Sequence, residues 1–497
     1  MQALHIVLAI LTAGSIAGCV VGPNYSGPPS NPLAQWSEPL SGGETNTSPS
    51  IATWWNKFND TELDSLIDRA VHSNLDLRVA EARVREARAQ GGIVDADFWP
   101  SVDTSASYAN ARESANQPLL GQLQLPPSVS LENNVYQAGF DASWEIDVFG
   151  GTRRANEAAG ANIEAAVYSR QDVQVTLVSE VARNYVAARS FQRRLAIARR
   201  NIKAQQDTVA LARDRYKNGL TNELDTEQAG TVLAQTEAQV PSLEQGLQAS
   251  IHRLGVLLGQ RPGALLTEMA TEAPIPMTRP KVPVGLPCDL LRRRPDIRNA
   301  ERQLAAATAQ VGVATADLFP KFSLTGDVGL QSVSTGDLFT AGSRFWSVGP
   351  TVQWRIFDAG RIRSNIRVQN ARQEQALATY EKTVLTSFED VENALVAYAK
   401  EQTRNPSLEE AVKASQSSLE ISRRLYANGL TNFINVLDAE RSLYQAQDDL
   451  VQSDQAVTQN LIALYKALGG GWDESMPSGS SSTIAASATR EETLYAK

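Results

Sequence analysis

The heptapeptide Tyr216–Asn222 (YKNGLTN) recurs at Tyr426–Asn432 (YANGLTN), 210 positions later, with six of seven residues identical. A second pair supports the duplication. Residues 76–100 (DLRVAEARVREARAQGGIVDADFWP) and 296–320 (DIRNAERQLAAATAQVGVATADLFP) share Asp, Arg, Ala, Glu, Ala-Gln, Gly, Ala-Asp and a closing Pro in register. A chain duplicated in this way repeats one structural plan, so each half has to be readable against the other.

The plan starts with helix. From Trp54 to about Ala96 the pattern is helical, Asn59-Asp60-Thr61 can cap its start, and Leu63, Leu66, Ile67 and Ala70 share a face. Pro100 ends the stretch. Strict alternation follows. Tyr136, Ala138, Phe140, Ala142, Trp144, Ile146 and Val148 occupy one face; Gln137, Gly139, Asp141, Ser143, Glu145 and Asp147 occupy the other. A weaker partner strand runs through Val102, Thr104, Ala106 and Tyr108. The second half repeats this with Phe322, Leu324, Gly326, Val328 and Leu330, then Trp346, Val348, Pro350, Val352, Trp354 and Ile356. Period two over such lengths fits a membrane β-barrel, and it also fits a half-buried soluble sheet. Aromatic residues on one face and acids on the other favour a lipid-facing exterior and a wet lumen. Asp141, Glu145, Asp147 and Asp327 then face that lumen, where they either bias passage towards cations or only keep the interior wet.

After each hairpin a long helix is expected. Residues 152–216 lack proline, and Val181, Ala188, Leu195, Ile202, Val209 and Tyr216 recur every seven positions, with a companion line from Leu177 to Ala212. Sustained heptads imply coiled-coil-like packing. At 1.5 Å per residue such a helix reaches roughly 100 Å. The Asn-Gly of the heptapeptide ends it, because glycine accepts the left-handed conformation of a helix terminus. A return helix runs to about Leu258 in one half and Leu468 in the other, and Pro406 is expected to kink or restart its helix.

The expected domains are a signal peptide (1–18), a tether (19–53), a first repeat (54–259, hairpin at about 101–149), a Pro-rich connector (260–289), a second repeat (290–472, hairpin at about 321–357) and a disordered tail (473–497). Ile16-Ala17-Gly18-Cys19 reads as a lipobox that leaves Cys19 lipidated; Val20 is not the aspartate that tends to retain such lipoproteins at the inner membrane. Cys288 is the other cysteine, expected as a semi-buried small residue, so no internal disulfide is expected. A net charge of -9 with interspersed signs carries no nucleic-acid footprint. His72 and His252 lack an acid/base partner pattern, and no metal, phosphate or nucleophile motif accompanies them, so neither catalysis nor a cofactor is expected.

Two hairpins give four strands. Four tilted strands cannot close, and open edges are not tolerated in lipid, so several copies have to share one barrel. At this point a resemblance becomes specific. Cys19–Tyr25 (CVVGPNY), the WW…F.D..L block of Trp54–Leu63, LLRRRPDIRNAERQLAAA at Leu290–Ala307, Trp144–Gly150, Phe357–Gly360 and the two Y..GL blocks occur in family order over nearly the whole chain. In these the chain resembles the outer membrane factor family, the TolC-like, NodT-type lipoproteins of tripartite efflux pumps.

The resemblance implies a mainly α fold with a transmembrane β section: a homotrimer whose twelve strands, four per chain, form one barrel continuous with a long periplasmic α-helical barrel. It implies an outer-membrane exit duct that passively conducts small molecules such as drugs or toxic compounds, anchored in outer-membrane lipid. A periplasmic adaptor and an inner-membrane transporter would be its partners. The two turns, Gly219-Leu220-Thr221 and Gly429-Leu430-Thr431, would meet the adaptor. Ile434, Asp438 and Arg441 share one helical face by spacing. The family's iris-like periplasmic gate matches Ile434 and Asp438, and Asp225 and Tyr426 match its latch. Thr431 stands where some members have arginine and Asn435 where some have a second aspartate, so a full salt-bridge latch does not carry over. Alternatives are a duct for protein (type I) secretion and, in another class, a coiled-coil scaffold lipoprotein.

Overall fold

One buried asparagine splits the helical stretch between Trp54 and Ala96 into two helices. The computed structural model describes residues 20–28, 36, 51–112, 114, 131–278, 284 and 287–472; Cys19, the signal peptide and the tail lie outside these, as does the side chain of Cys288. Helix α1 (Thr61–Ser73) starts at Asp60, whose carboxylate accepts from the amides of Glu62 and Leu63, as the capping residues suggest. Asn74 stops it with extended backbone, donates to Leu257 O (2.8 Å) and accepts from Leu77 N (2.9 Å). Asn74 thereby opens α2 (Leu75–Ala96).

Strands β1 (Ser101–Arg112) and β2 (Glu132–Ile146) precede α3 (Gly151–Lys217) and α4 (Glu223–Leu257). A short helix α5 (Pro287–Arg293) and α6 (Pro295–Ala316) lead to β3 (Lys321–Ser332), β4 (Arg344–Gln353), α7 (Arg361–Ala427) and α8 (Phe433–Ala467). Helices α3 and α7 have 67 residues each, α4 and α8 35 each, so the repeat is kept to the residue through its helical part. Pro406 lies inside an unbroken α7, contrary to the expected kink or restart. The preceding Asn405 is fully buried and donates to Asp454 (2.8 Å) and Ser453 (3.2 Å) of α8, so packing against the return helix carries α7 past the proline.

The chain forms two compact units. The first (residues 1–29, 82–167 and 299–382) holds the sheet, whose order is β1-β2-β3-β4, all antiparallel. Register places Tyr108 opposite Tyr136, Phe140 opposite Val328 and Val328 opposite Trp346, collecting the apolar alternation on one face. Val102, Tyr108, Phe140, Val328, Trp346, Val348 and Val352 are more than half exposed on it. Strand pairing stops at Ile146 and Gln353, so Val148, Trp354 and Ile356 lie beyond the ladder their alternation suggested.

Each hairpin joins its helices by the same two devices. The Trp144 indole donates to Phe98 O (2.8 Å), and the Trp354 indole donates to Leu318 O (3.1 Å). Asp147 accepts from Arg153 N (3.0 Å), and Asp358 accepts from Ile362 N (2.8 Å). Residues 20–28, expected as part of a tether, are extended but pinned. Val21 N donates to Phe149 O (3.1 Å), and buried Arg154 donates to Val21 O (3.2 Å) and Asn24 (2.6 Å). Tyr25 donates to Glu301 (3.2 Å), and burial, reinforced by Glu301, pushes its phenol up to about 12.

The second unit (residues 30–81, 168–298 and 383–497) holds the main core. Leu63, Leu66, Ile67 and Ala70 are buried in it, as the spacing predicts, with Tyr185, Leu254, Tyr398 and Tyr465; Trp54 stacks on Tyr465 at 5.3 Å. Buried Arg189 pairs with Glu62 and donates to Thr271 O (2.8 Å), while Gln192 donates to Met269 O (2.5 Å). That network packs the first part of the connector onto α3. In the RRRPD motif Arg294 pairs with Asp296 (2.7 Å) and Asp390 (3.0 Å) and donates to Ala467 O (3.2 Å), tying α6 to α7 and the end of α8. Among the described residues no helix is long and apolar enough to cross a membrane.

Arg154→Ala should leave the acceptors of Val21 and Asn24 unpaired, at a cost of about 1–3 kcal/mol. Denaturation of the purified protein should register this, with new protease cleavage at residues 20–28. An intact segment in the variant would mean that other contacts hold it.

Candidate functional site

Both copies of the heptapeptide fold into one turn, and the glycine makes it possible. Gly219 (φ 68°) and Gly429 (φ 73°) adopt the left-handed conformation that costs a side chain energy. Gly219 N donates to Tyr216 O (2.9 Å) and Leu220 N to Arg215 O (2.9 Å); Gly429 N donates to Tyr426 O (3.0 Å) and Leu430 N to Leu425 O (2.9 Å). This double bond pattern satisfies the last carbonyls of α3 and α7. Each Asn before the glycine bonds back to the carbonyl four residues earlier, Asn218 to Asp214 O (2.7 Å) and Asn428 to Arg424 O (2.8 Å). Leu220 and Leu430 are left 65% and 72% exposed, apolar tips on fixed loops.

Beyond the glycine the copies diverge. Asn222 caps α4 by accepting from Asp225 N (3.2 Å), whereas the Asn432 side chain makes no cap bond. Thr221 donates to the Asp225 carboxylate; in the other turn Asn435 donates to Thr431 (2.6 Å). Asp225 is therefore engaged inside its own turn. Tyr426 is buried, packs on Phe433 at 5.0 Å between ring centres, and lies under the Arg215 guanidinium at 4.7 Å. Burial holds its phenol above the usual range and the Asp225 carboxylate adds to the rise, against the opposing influence of Thr221 and Arg215. Arg215 also donates to Ala427 O (3.4 Å). Its role escaped the sequence, where it is one arginine among many on a helix.

Helix α8 separates two faces. Phe433, Val436, Leu437, Ala439 and Leu443 are buried with Val209, Ala212, Ala229, Val232 and Leu419 in a small tip core. Ile434, Asp438 and Arg441 lie on the exposed face, together as their spacing requires. Among the described residues Asp438 forms no ion pair within the chain.

The sheet's second face is acidic in register. Asp103 of β1 lies opposite Asp141 of β2, which lies opposite Asp327 of β3, and Ser347 of β4 completes the row by donating to Asp327. Asp103 was not anticipated, because the alternation of β1 is weak; only pairing with Asp141 reveals it. Like charges directly opposite destabilise a sheet unless water screens them. Glu145 sits 3.8 Å from Lys321. Asp147, expected with the lumen acids, lies past the end of β2, where it pairs with Arg153 (3.1 Å). No cluster of three metal-ligating residues occurs among the described residues.

The family model "Outer membrane efflux protein" matches residues 66–260 and 286–470. The chain is 33% identical over 468 residues to the solvent efflux pump outer membrane protein SrpC of Pseudomonas putida, covering 93% of this chain and 97% of the relative. It is 33% identical over 473 residues to the pyoverdine export outer membrane protein OpmQ of Pseudomonas aeruginosa, covering 95% and 97%. It superposes on the outer-membrane channel OprN with a TM-score of 0.83 and 37% identity, covering 91% of this chain and all of that one.

A phenol whose folded value is raised stabilises the fold below the ordinary tyrosine value near 10, and that contribution is lost as pH climbs through the folded value. A spin label at Lys217 should therefore gain mobility above about pH 10, and Tyr426→Phe should blunt that gain. Identical profiles would separate Tyr426 from the stability of the tip.

Proposed function

Because this chain belongs to the outer membrane efflux protein family, we propose that three copies form one exit duct whose helical tips make the gate. The chain is an outer-membrane efflux channel of the tripartite-pump type and not an enzyme. The family match sets the coiled-coil scaffold aside. The observation that carries the trimer is the four-stranded sheet with β1 and β4 unpaired at its edges. In lipid those edges need partners, and three copies give twelve strands in a closed barrel. The uncovered apolar face meets lipid, and the row of Asp103, Asp141 and Asp327 lines the lumen. Cys19 carries the lipid, and the pinned residues after it hold that anchor to the first unit.

Six turns, two per chain, then present Leu220 and Leu430 to a periplasmic adaptor, through which the inner-membrane transporter is engaged. Their rigid backbone bonding supports docking, since the exposed leucines are held without a folding cost on binding. Ile434 and Asp438, on the free face of α8, form three-membered rings at the axis. Carboxylates brought together there repel one another and attract cations. Asp225 and Tyr426 act as local packing at the latch position, and Arg441 flanks the rings. Relatives named for solvents and for pyoverdine are equally similar to this chain, which supports a duct that leaves cargo choice to its partners. The cargo class proposed is small molecules, not secreted protein.

Reconstituted in planar bilayers, the protein should give trimer-sized channels that rest mostly closed. Asp438→Ala should raise the resting conductance severalfold and weaken block by multivalent cations; unchanged behaviour would remove Asp438 from the gate. Replacing Asp103, Asp141 and Asp327 together by Asn should move the reversal potential in a salt gradient towards zero. A retained cation preference would leave these acids the simpler role of keeping the lumen wet.

A further inference from the structure

The gate face of α8 is positioned by its opposite face, and one polar group there is out of keeping with its surroundings. Glu440 lies two residues after Asp438, yet it is 5% exposed. One carboxylate oxygen, Oε1, accepts from Arg423 of α7 (2.8 Å) and from Thr208 of α3 (2.6 Å). The other, Oε2, is buried without a partner. The apolar side chains beside it, among them Val209, Leu437 and Leu443, tolerate small shifts against one another. A buried carboxylate does not, because a displaced charge loses its compensation.

The two bonds join different things. Arg423 and Glu440 belong to the same hairpin, α7–α8, so their ion pair moves with that hairpin. Thr208 belongs to the first repeat. Its bond to Glu440 is the one that ties the α7–α8 hairpin to α3. The first repeat has no equivalent: Gly230 stands 210 positions before Glu440, and Arg213, the counterpart of Arg423, is exposed. The α7–α8 hairpin also carries Ile434 and Asp438.

From this we infer that Glu440 is a positioning residue for the gate, and that its bond to Thr208 holds the α7–α8 hairpin in the closed register. The inference rests on the proposed gate at Ile434 and Asp438. Opening that moves this hairpin away from α3 breaks the Thr208 bond and leaves the Arg423 pair intact, so the carboxylate is never left without a counter-charge. The tie thus raises the free energy of the open state without endangering the fold of the hairpin.

Thr208→Val removes the hydroxyl at almost constant volume and leaves the ion pair in place. A hydrogen bond to a charged group is strong enough to bias a two-state equilibrium by about tenfold or more. In bilayers the full-length trimer carrying Thr208→Val should show an open fraction raised by about that factor, and Thr208→Ser should restore the native value. Thermal stability and trimer content are measured alongside, because a merely structural role would lower those and leave the open fraction unmoved. That outcome, with Asp438→Ala still raising conductance, would overturn the inference and spare the gate. If Asp438→Ala has no effect, the gate itself is lost. Should Thr208→Val fail to assemble, Glu440→Gln carries the test. It keeps an acceptor for Thr208 but weakens both bonds, so a smaller rise in open fraction is expected, and native gating would count against the tie.

Discussion

Unpaired backbone groups along β1 and β4 are the constraint on which the rest of the molecule depends. Each edge presents a row of N–H and C=O groups that water could satisfy and hydrocarbon cannot. The face running through Phe140, Val328 and Trp346 is equally unsuited to water, since those side chains are largely exposed in a single chain. Lipid suits the face and is incompatible with the edges. Only pairing with further copies meets both requirements, and closure then puts the opposite face around a wet interior. The aligned carboxylates of Asp103, Asp141 and Asp327 are tolerable in that setting and would be a liability in a dry one.

The duplication supplies the framework for this with little variation. Equal helix lengths in the two repeats keep every layer of the helical pairs in step, because one inserted residue would rotate a helix by about 100° against its neighbours. The indole bonds of Trp144 and Trp354 and the caps of Asp147 and Asp358 repeat as well, so strand and helix are joined alike in both halves. Variation is confined to polar groups near the turns: Asp225 against Asn435, Gly230 against Glu440. Equal backbones with unequal charges let two halves share one scaffold while only one of them carries the gate residues.

Much of this was legible because it rests on periodicity. Leu63, Leu66, Ile67 and Ala70 are buried as their spacing requires, the four strands fall where alternation places them, and Gly219 and Gly429 end their helices. What was missed depends on partners distant in sequence. Asn74 breaks a helix by bonding to Leu257, Asn405 carries α7 past Pro406 through Asp454, and Asp103 gains meaning from Asp141. A polar residue in a helical pattern reads as solvated surface until its partner is known, which is why Glu440 gave no signal. The start of the tether was misread for the same reason, since Arg154 supplies the bonds that its composition lacks.

The placement of small and large side chains in the second unit explains why motion belongs at the tip. The main core is built on Trp54, Tyr185, Tyr398 and Tyr465, large groups whose burial removes much apolar surface from water. The tip core rests on Ala212, Ala229 and Ala439 with a few valines and leucines, and one aromatic pair, Tyr426 and Phe433. Less apolar area is lost when it loosens, so local opening there costs less than disruption of the main core. A weak core alone would leave the gate residues poorly fixed. A buried ion pair adds little net stability but penalises wrong registers heavily, which is the property such a core lacks. Glu440 therefore does at the tip what bulk does elsewhere, setting position while leaving the region able to move.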